Sequence, residues 1–479
     1  MVQGFSREPG THGPLTAVPP AGLRKIQWWA AAIAVGGFLF GFDTGVVSGA
    51  LLYIRDDFHL NSFEQGSVVS VLLVGSVIGA LVAGRLADRW GRRRLLGAVG
   101  AVFLVGTAIA VFSTGYPMLL AARIVLGLAV GTASALVPVY LSEISPTSIR
   151  GRLLTLNQLM ITIGILAAYL VNLAFASGGR WREMFACGAV PALVLVAAAL
   201  WFLPESPQWQ IARGQDERAR AAIARVTGPD TADQVVELAR QRIAEDRAKQ
   251  AAGDGGRGLR APDVRPALVV GLTLAAVQQF GGINTIIYYA PTIIEQTGLN
   301  ASNSIFYSVA IGVINLLMTL VAIRLVDRVG RRPLVLVSLA AMAVSVFLLG
   351  LAFVAHLASG PTLLFMVVYI AAFAGGLGPV FWTLIGEIFP PAVRAAGSSA
   401  STAVNWVSNF VVSLAFLPVA NALGQGETFW IFAGICAAAF VFVRRYLPET
   451  RGRDSEQIQD DLARRFGHDT EAPVPAERH

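Results

Sequence analysis

Twelve apolar stretches, arranged as six, a polar interval and six more, constrain this chain more than any other feature of its sequence. A helix needs roughly 20 apolar residues to cross about 30 Å of hydrocarbon. Charged residues make up 14% of the chain, whereas a soluble domain carries about 25%. The sequence therefore predicts an all-α integral membrane protein with twelve transmembrane helices, near 27–53, 65–86, 95–114, 117–141, 153–176, 184–203, 267–294, 303–325, 333–356, 361–386, 396–420 and 428–447.

Short motifs occur twice, once in each set of six stretches. GRLADRWGRR in the first set returns as RLVDRVGRR in the second, and two further motifs recur with a similar offset. The matched segments are 84–93 and 324–332, 143–150 and 387–394, and 204–206 and 448–450. This repetition predicts two pseudo-symmetric six-helix bundles, and such pairs usually bind their ligand where the halves meet.

The polar segments divide the chain around these bundles. Apolar residues at helical spacing in 215–226 and 231–250 predict short amphipathic helices on the cytoplasmic face, and Ile458, Leu462 and Phe466 predict another. Segment 253–258 is expected to be a flexible link. The predicted division is a disordered cytoplasmic N-terminus (1–24), the first bundle (25–204), a cytoplasmic linker (205–265), the second bundle (266–448) and a cytoplasmic tail (449–479).

Arg and Lys residues are distributed unevenly between alternate loops. Eighteen flank the spans on one side, and only Arg55, Arg180 and Arg182 lie on the other. Because an excess of Arg and Lys marks cytoplasmic loops, both termini are expected in the cytoplasm of a multi-pass plasma (inner) membrane protein. The net charge of +7 then reflects orientation, and a nucleic-acid partner is not expected.

Glycine pairs interrupt two of the predicted spans. Gly281 and Gly282 lie midway in the seventh, and Gly375 and Gly376 lie in the tenth. Broken helices at membrane depth usually face a cavity, where freed carbonyl groups can be hydrated or can bind a ligand. The two breaks therefore indicate where a binding site is expected.

Two ionisable residues lie well inside the first six spans, Asp43 in the first and Arg123 in the fourth. A charged side chain near the bilayer centre is costly unless it is paired or hydrated, and the protonation of a carboxyl group can follow its surroundings. A switchable Asp43–Arg123 pair that couples transport to protons is one interpretation. A permanent structural ion pair is the other.

Uncharged amides gather in several spans. They offer hydrogen-bond donors and acceptors together, which suits a ligand rich in hydroxyl groups, and the indole rings of Trp382 and Trp406 offer flat apolar faces. Hydrogen bonding between helices is the alternative role for any one amide. The amides are Gln158, Gln278, Gln279, Asn284, Asn315, Asn405 and Asn409.

Charged residues of both signs recur at span ends on the predicted cytoplasmic side. Pairs between neighbouring helices are expected, and breaking them together could favour one conformation, although single exposed pairs contribute little. The alternative is that these charges only set topology. The set comprises Asp88, Arg92, Glu143 and Arg150 in the first half and Asp327, Arg331, Glu387 and Arg394 in the second.

Enzymatic chemistry is not expected. The five histidines lie in tails, in loops or at a span end, so they predict no catalytic cluster and no metal site. Lys25 and Lys249 are the only lysines and neither follows a glycine, as the lysine of a phosphate-binding loop would. Cys187 and Cys436 lie in different halves, which argues against a disulfide framework. No cofactor is predicted.

Several motifs together resemble the sugar porter family of the major facilitator superfamily, over about residues 25–465. They are the repeated motif at 88–93, PESP at 204–207, QQFGGIN at 278–284 and PETRGR at 448–453. The stretches 278–291 and 375–390 are especially similar to bacterial glucose permeases of actinobacterial type.

The resemblance implies roles for individual residues. Asp43 matches an aspartate of proton-coupled members, whereas Gly188 stands where some of them carry an acidic residue. Tyr288 and Tyr289, with Phe40, would lie near the pathway or its gate. The implied sugar contacts are Gln158, Gln278, Gln279, Asn284, Asn315, Trp382 and Asn405.

We therefore predict a monomeric twelve-helix carrier that imports a monosaccharide, with glucose favoured, together with a proton through alternating access. An uncoupled facilitator of the same fold and a symporter for xylose, galactose, arabinose or inositol are the nearest alternatives. A sugar sensor that signals without transport belongs to a different class, and the short cytoplasmic extensions argue against it.

Overall fold

A computed structural model of the protein describes residues 18–251, 259, 261–262, 264–390 and 393–467. Within these residues the chain is helical, with no strand. Twelve helical stretches are long and apolar enough to cross a membrane. The predicted all-α class with twelve spans is therefore confirmed.

The first half contains five unbroken spanning helices and a sixth that is interrupted. Short connecting segments separate these five helices from one another. The helices are α1 (Pro20–Asp57), α2 (Ser62–Trp90), α3 (Arg92–Val111), α4 (Tyr116–Ile144), α5 (Thr147–Ala176), α6 (Trp181–Ala186) and α7 (Ala189–Ala197). Together α6, α7 and the π-helical turn that follows, Ala198–Phe202, form the sixth span.

Three helices follow at the end of the bundle where the described chain begins with α1 and where it ends, which we call the terminal face. They are α8 (Pro207–Ala212), α9 (Asp216–Thr227) and α10 (Pro229–Ala251). Segments 215–226 and 231–250 are helical as predicted, whereas α8 was not predicted. The expected flexible link at 253–258 lies outside the described residues.

The second half repeats the plan, with two of its spans each split into two helices. Its elements are α11 (Arg265–Phe280), α12 (Ile283–Glu295), α13 (Ala301–Val329), α14 (Arg331–Val354), α15 (Ser359–Ala374), α16 (Leu377–Glu387), α17 (Arg394–Leu423), α18 (Gln425–Tyr446) and, at the terminal face, α19 (Ser455–Arg465). The breaks between α11 and α12 and between α15 and α16 fall at the predicted glycine pairs. Ile458 and Leu462 are the buried residues of α19.

The predicted disordered N-terminus extends too far into the chain. Helix α1 begins at Pro20, so residues 20–24 are helical. Proline suits the first turn of a helix because its missing N–H would have no partner there. Gly22 also packs closely on the carbonyl of Val226 in α9, which holds this end of α1 against the linker. Residues 1–17 and 468–479 lie outside the described part.

One set of helix contacts lies within each half, and a second set joins the two halves. Helix α1 packs along α5, α2 along α4, and α14 along α18. Glycine permits the closest approach, because a Cβ at Gly41 would lie 1.9 Å from the carbonyl oxygen of Ile161. The halves join through α2 with α17, α5 with α13, and α1 with α12.

Candidate transport site between two helical bundles

A buried ion pair lies at the centre of the first half. Arg123 on α4 donates from Nη1 to both carboxylate oxygens of Asp43 on α1, at 2.9 and 3.0 Å, and the side chains are 1% and 2% exposed. The Nε of Arg123 donates to the carbonyl of Val68 on α2 at 3.0 Å. The three helices are thus joined through one guanidinium group. Removing one member of such a pair leaves a buried charge without its partner.

A polar chain from the second half reaches this ion pair. The Tyr288 hydroxyl on α12 lies close to Thr44, the neighbour of Asp43, and it accepts from Nδ2 of Asn409 at 3.5 Å. Ser413 in turn donates to Oδ1 of Asn409 at 3.0 Å. Tyr288 is 3% exposed. The side chain predicted to act in gating therefore connects the charged centre of one half to two helices of the other.

The break in the seventh span depends on Gly282. Its φ is +96°, a left-handed conformation that a residue with a Cβ adopts only under strain. The carbonyl of Gly281, freed by the break, accepts a hydrogen bond from the hydroxyl of Tyr369 on α15 at 2.6 Å. Tyr289 donates to the Ser413 carbonyl at 2.7 Å. The break is therefore held by phenol groups of buried tyrosines.

Four of the predicted sugar-binding amides form one hydrogen-bonded cluster beside this break. Asn405 donates to Oε1 of Gln278 at 2.5 Å, and its Oδ1 accepts from Gln279 at 3.2 Å. Asn284 donates to Oε1 of Gln279 at 2.7 Å. Gln278 also donates to the carbonyl of Gly378 at 3.2 Å, so the cluster reaches the second break. We call Gln278, Gln279, Asn284 and Asn405 the amide cluster.

The other predicted contact residues lie outside this cluster. Gln158 is partly exposed on α5, and Asn315 is buried on α13, the helix that packs on α5. The Trp382 ring is 44% exposed on α16 and stands edge-on to Phe381. Trp406 contacts Phe40 of the other half, with 5.7 Å between ring centroids.

Paired charges lie at the terminal face of each half. In the first, Arg92 binds Glu143 at 2.9 Å and Asp88 at 3.2 Å. In the second, Arg331 binds Glu387 at 3.0 Å.

The remaining members of the predicted charge set differ in their contacts. Arg394 donates to the carbonyl of Phe389 at 3.3 Å. Arg150 takes part in a contact at the start of α5. The Asp327 side chain lies outside the part of the chain that the structure describes.

Two glutamates that sequence reasoning did not assign to the site complete these charge groups. Glu205 Oε1 accepts from the backbone N–H of Arg92 at 2.7 Å and of Arg93 at 3.1 Å, so it caps α3. Glu449 caps α14 through Arg331 and Arg332 in the same way, at 2.9 and 3.1 Å. Their recurrence at matching positions in the two halves was the signal that could have identified them.

At the opposite face, side chains from the two halves bind each other directly. Arg55 at the end of α1 makes a two-pronged contact with Glu295 at the end of α12, at 2.6 and 2.8 Å. Nearer the centre, Tyr169 donates to the carbonyl of Ile287 at 2.8 Å. Asn421 also binds Ser62 across the halves. These contacts close the bundle interface at that face, and the sequence patterns did not predict them.

The sequence profile of the family described as "Sugar (and other) transporter" matches residues 29–462. The chain belongs to this family. As a sugar transporter, it is a carrier and not an enzyme, and its spans make it a multi-pass membrane protein. The resemblance inferred from its motifs is confirmed.

Curated relatives of this sugar transporter match nearly its whole length. The glucose transporter GlcP of Staphylococcus epidermidis is 40% identical over 91% of this chain and 97% of that protein. The D-xylose transporter of Levilactobacillus brevis is 38% identical over 91% and 95%, and the galactose-proton symporter of Escherichia coli is 36% identical over 90% and 92%.

Solved structures of a related carrier share the fold. The xylose transporter XylE from E. coli aligns in its inward-open conformation with a TM-score of 0.79 and 30% identity, over 91% of this chain and 99% of XylE. Its complex with 6-bromo-6-deoxy-D-glucose aligns with a TM-score of 0.73.

Proposed function

We propose that this sugar transporter imports a monosaccharide, with glucose as the first candidate, together with a proton. The observation that carries the proposal is the Asp43–Arg123 pair, buried on α1 and α4 and in contact through Thr44 with Tyr288 of the other half. A glucose transporter and a galactose-proton symporter are among its relatives. Both relatives support a sugar substrate, and the symporter also supports proton coupling.

The proposed cycle begins at Asp43. A proton from outside neutralises its carboxylate, and Arg123 loses the partner that holds it. Because Tyr288 contacts the neighbouring Thr44, the change reaches α12 directly. The ion pair thus links protonation to the helix that begins beside the amide cluster.

Sugar binding is proposed to use the amide cluster. Its amides bind one another in this structure, so a sugar hydroxyl can replace an amide partner without leaving a buried polar group unsatisfied. Gln158, Asn315 and Trp382 would complete the site from α5, α13 and α16. The helices next to both glycine breaks then close over the sugar. The terminal-face ion pairs, which are formed in this structure, separate in the alternate conformation of the carrier.

Uncoupled facilitation is the second candidate, and the position of Gly188 favours it. A Cβ at Gly188 would lie 3.1 Å from the ring of Phe42 and 3.3 Å from that of Phe103. The sixth span therefore places no carboxylate beside α1 at this position. Coupling would depend on Asp43 without a second acidic group there.

The orientation proposed for the carrier places the terminal face in the cytoplasm of the plasma membrane. Eighteen Arg and Lys residues flank the spans on that side and three on the other, which supports this orientation. We also propose that one chain is the functional unit, because a complete set of candidate site residues lies within it.

The decisive experiment is labelled-sugar uptake into proteoliposomes with an imposed pH gradient. Symport predicts accumulation of glucose that an uncoupler abolishes, with alkalinisation of the outer medium during uptake. Equilibration without accumulation would establish the facilitator instead. Competition by unlabelled xylose, galactose, arabinose and inositol then ranks the substrates. Flux absent for every sugar would contradict the transport proposal and favour a sensor.

A further inference from the structure

A basic cleft lies at the terminal face of the first half, away from the transport site. It has a volume of about 390 Å³ and lies between the start of α3, the segment 203–206 and α9. Four arginines line it, Arg93 and Arg94 from α3 and Arg218 and Arg225 from α9. Separate elements thus bring four positive charges to one cavity.

The carboxylate in this lining is already engaged. Glu205 Oε1 accepts three backbone N–H groups, from Arg92, Arg93 and Ser206, at 2.7, 3.1 and 2.9 Å. The four arginines therefore leave the cleft with an excess of positive charge, the chemistry that binds a phosphate group.

The position of the cleft identifies the source of that phosphate. Three residues at the end of the sixth span directly precede the lining of the cleft. They are Leu200, Trp201 and Phe202, which are 58%, 81% and 49% exposed, so they face lipid. Leu203 and Pro204 then line the cleft itself, with Trp209 beside them. Tryptophan is typical of the membrane–water boundary. The cleft opens at the depth of the phospholipid headgroups.

The second half provides an internal comparison. Pro333 stands where Arg94 stands in the first half, and the chain after Glu449 leads into α19 rather than into helices like α8 and α9. Arg332 uses its Nη2 to bind the carbonyl of Arg444 at 2.7 Å. The arginine-lined cleft is thus a feature of the first half and its linker, not of the repeated motif.

We propose that this cleft binds the phosphate group of an anionic phospholipid in the leaflet at the terminal face. Basic pockets at this depth bind acidic headgroups, and each Arg near the surface strengthens binding about five-fold. A bound headgroup would also join α9 to α3, and hence the linker to the first bundle. A second source of the same chemistry, a soluble phosphate, is distinguished by the experiment.

Native mass spectrometry of the full-length protein with added lipid tests the site. Phosphatidylglycerol should bind in preference to phosphatidylcholine, and the preference should weaken with salt. The variant R94Q/R218Q/R225Q should lose phosphatidylglycerol affinity by on the order of 100-fold. The matched control is R220Q/R240Q/R453Q, which removes three exposed arginines that pair with Asp233, Asp216 and Asp461 outside the cleft. It should bind phosphatidylglycerol like the unaltered protein.

The outcomes separate the possibilities. Equal phosphatidylglycerol binding by both triple variants would overturn the site. Displacement of the lipid by millimolar glycerol 3-phosphate would show that the cleft prefers a soluble phosphate and would overturn the lipid assignment. Because lipid binding is measured without sugar or a pH gradient, the result does not depend on the proposed transport function.

Discussion

The two halves share a plan, but their centres differ chemically. The first half holds a buried ion pair, Asp43 with Arg123, and the second holds the uncharged amide cluster. A buried charge needs a specific partner, so it responds sharply to gain of a proton. Neutral amides can exchange one partner for another at little cost. The difference suggests that one half senses protons while the other binds sugar.

The largest effect is expected at the ion pair. Asp43→Asn removes the titratable group and should abolish sugar accumulation against a gradient while sparing exchange of sugar across the membrane. Uptake under an imposed pH gradient and counterflow without one measure the two activities. Asp56→Asn, which changes a 73% exposed carboxylate at the end of the same helix, is the control. If Asp43→Asn still concentrates sugar, the first half does not carry coupling.

The amide cluster should respond in the opposite way. Gln279→Ala leaves Nδ2 of Asn284 without its acceptor and Oδ1 of Asn405 without its donor, and it removes a proposed sugar contact. An unmade buried hydrogen bond costs about 1–3 kcal/mol, so sugar affinity should fall about 10- to 100-fold while uptake stays dependent on the pH gradient. Gln65→Ala removes an amide that binds only the Leu60 carbonyl near the opposite face, and it should leave affinity unchanged.

The repeated charge pairs allow a direct contrast of the halves. The Glu143 side chain is 8% exposed in its contact with Arg92, whereas that of Glu387 is 31% exposed beside Arg331. Glu143→Gln should therefore lower the free energy of unfolding by about 1–3 kcal/mol, and Glu387→Gln by about 0–1 kcal/mol. Thermal unfolding in detergent compares them. Equal losses would mean that burial does not distinguish the repeats.

The smallest effect is expected at the opposite face. Arg55→Gln breaks the contact with Glu295. The two side chains are 27% and 21% exposed, so the closed state of that face should lose about 1 kcal/mol of stabilisation. The population open at that face should rise about five-fold. Labelling of Thr292→Cys, a buried position on α12, by an impermeant maleimide measures it. Arg182→Gln, which breaks a pair within one half, should not change the labelling rate.

Much of the fold could be predicted because membrane spans obey length and polarity rules. Both helix breaks occur at the predicted glycine pairs, at Gly282 and Gly376, because glycine marks where a helix can be interrupted. The interruption of the sixth span at Cys187 and Gly188 and its π-helical end were missed. The local signal was weaker there, a single glycine, Gly188, followed by Pro191 in an otherwise apolar stretch.

The candidate site was predicted less completely. The amides and the Asp43–Arg123 pair could be predicted because they are polar residues within apolar spans. Their roles in transport stay predictions. Which amides bind one another could not be inferred, because Asn405 and Gln278 meet only when α17 packs on α11. Glu205 and Arg55 were overlooked for the same reason, since their partners are distant in sequence.

Sequence alone determined the all-α membrane class, the twelve spans and the duplication, because the length of apolar stretches and the repetition of motifs are properties of the linear sequence. Tertiary packing alone decided that Asp43 pairs with Arg123, that four amides from α11, α12 and α17 form one cluster, and that arginines from α3 and α9 share one cleft. These are contacts between remote segments, and only the packed helices determine which side chains come within hydrogen-bonding distance.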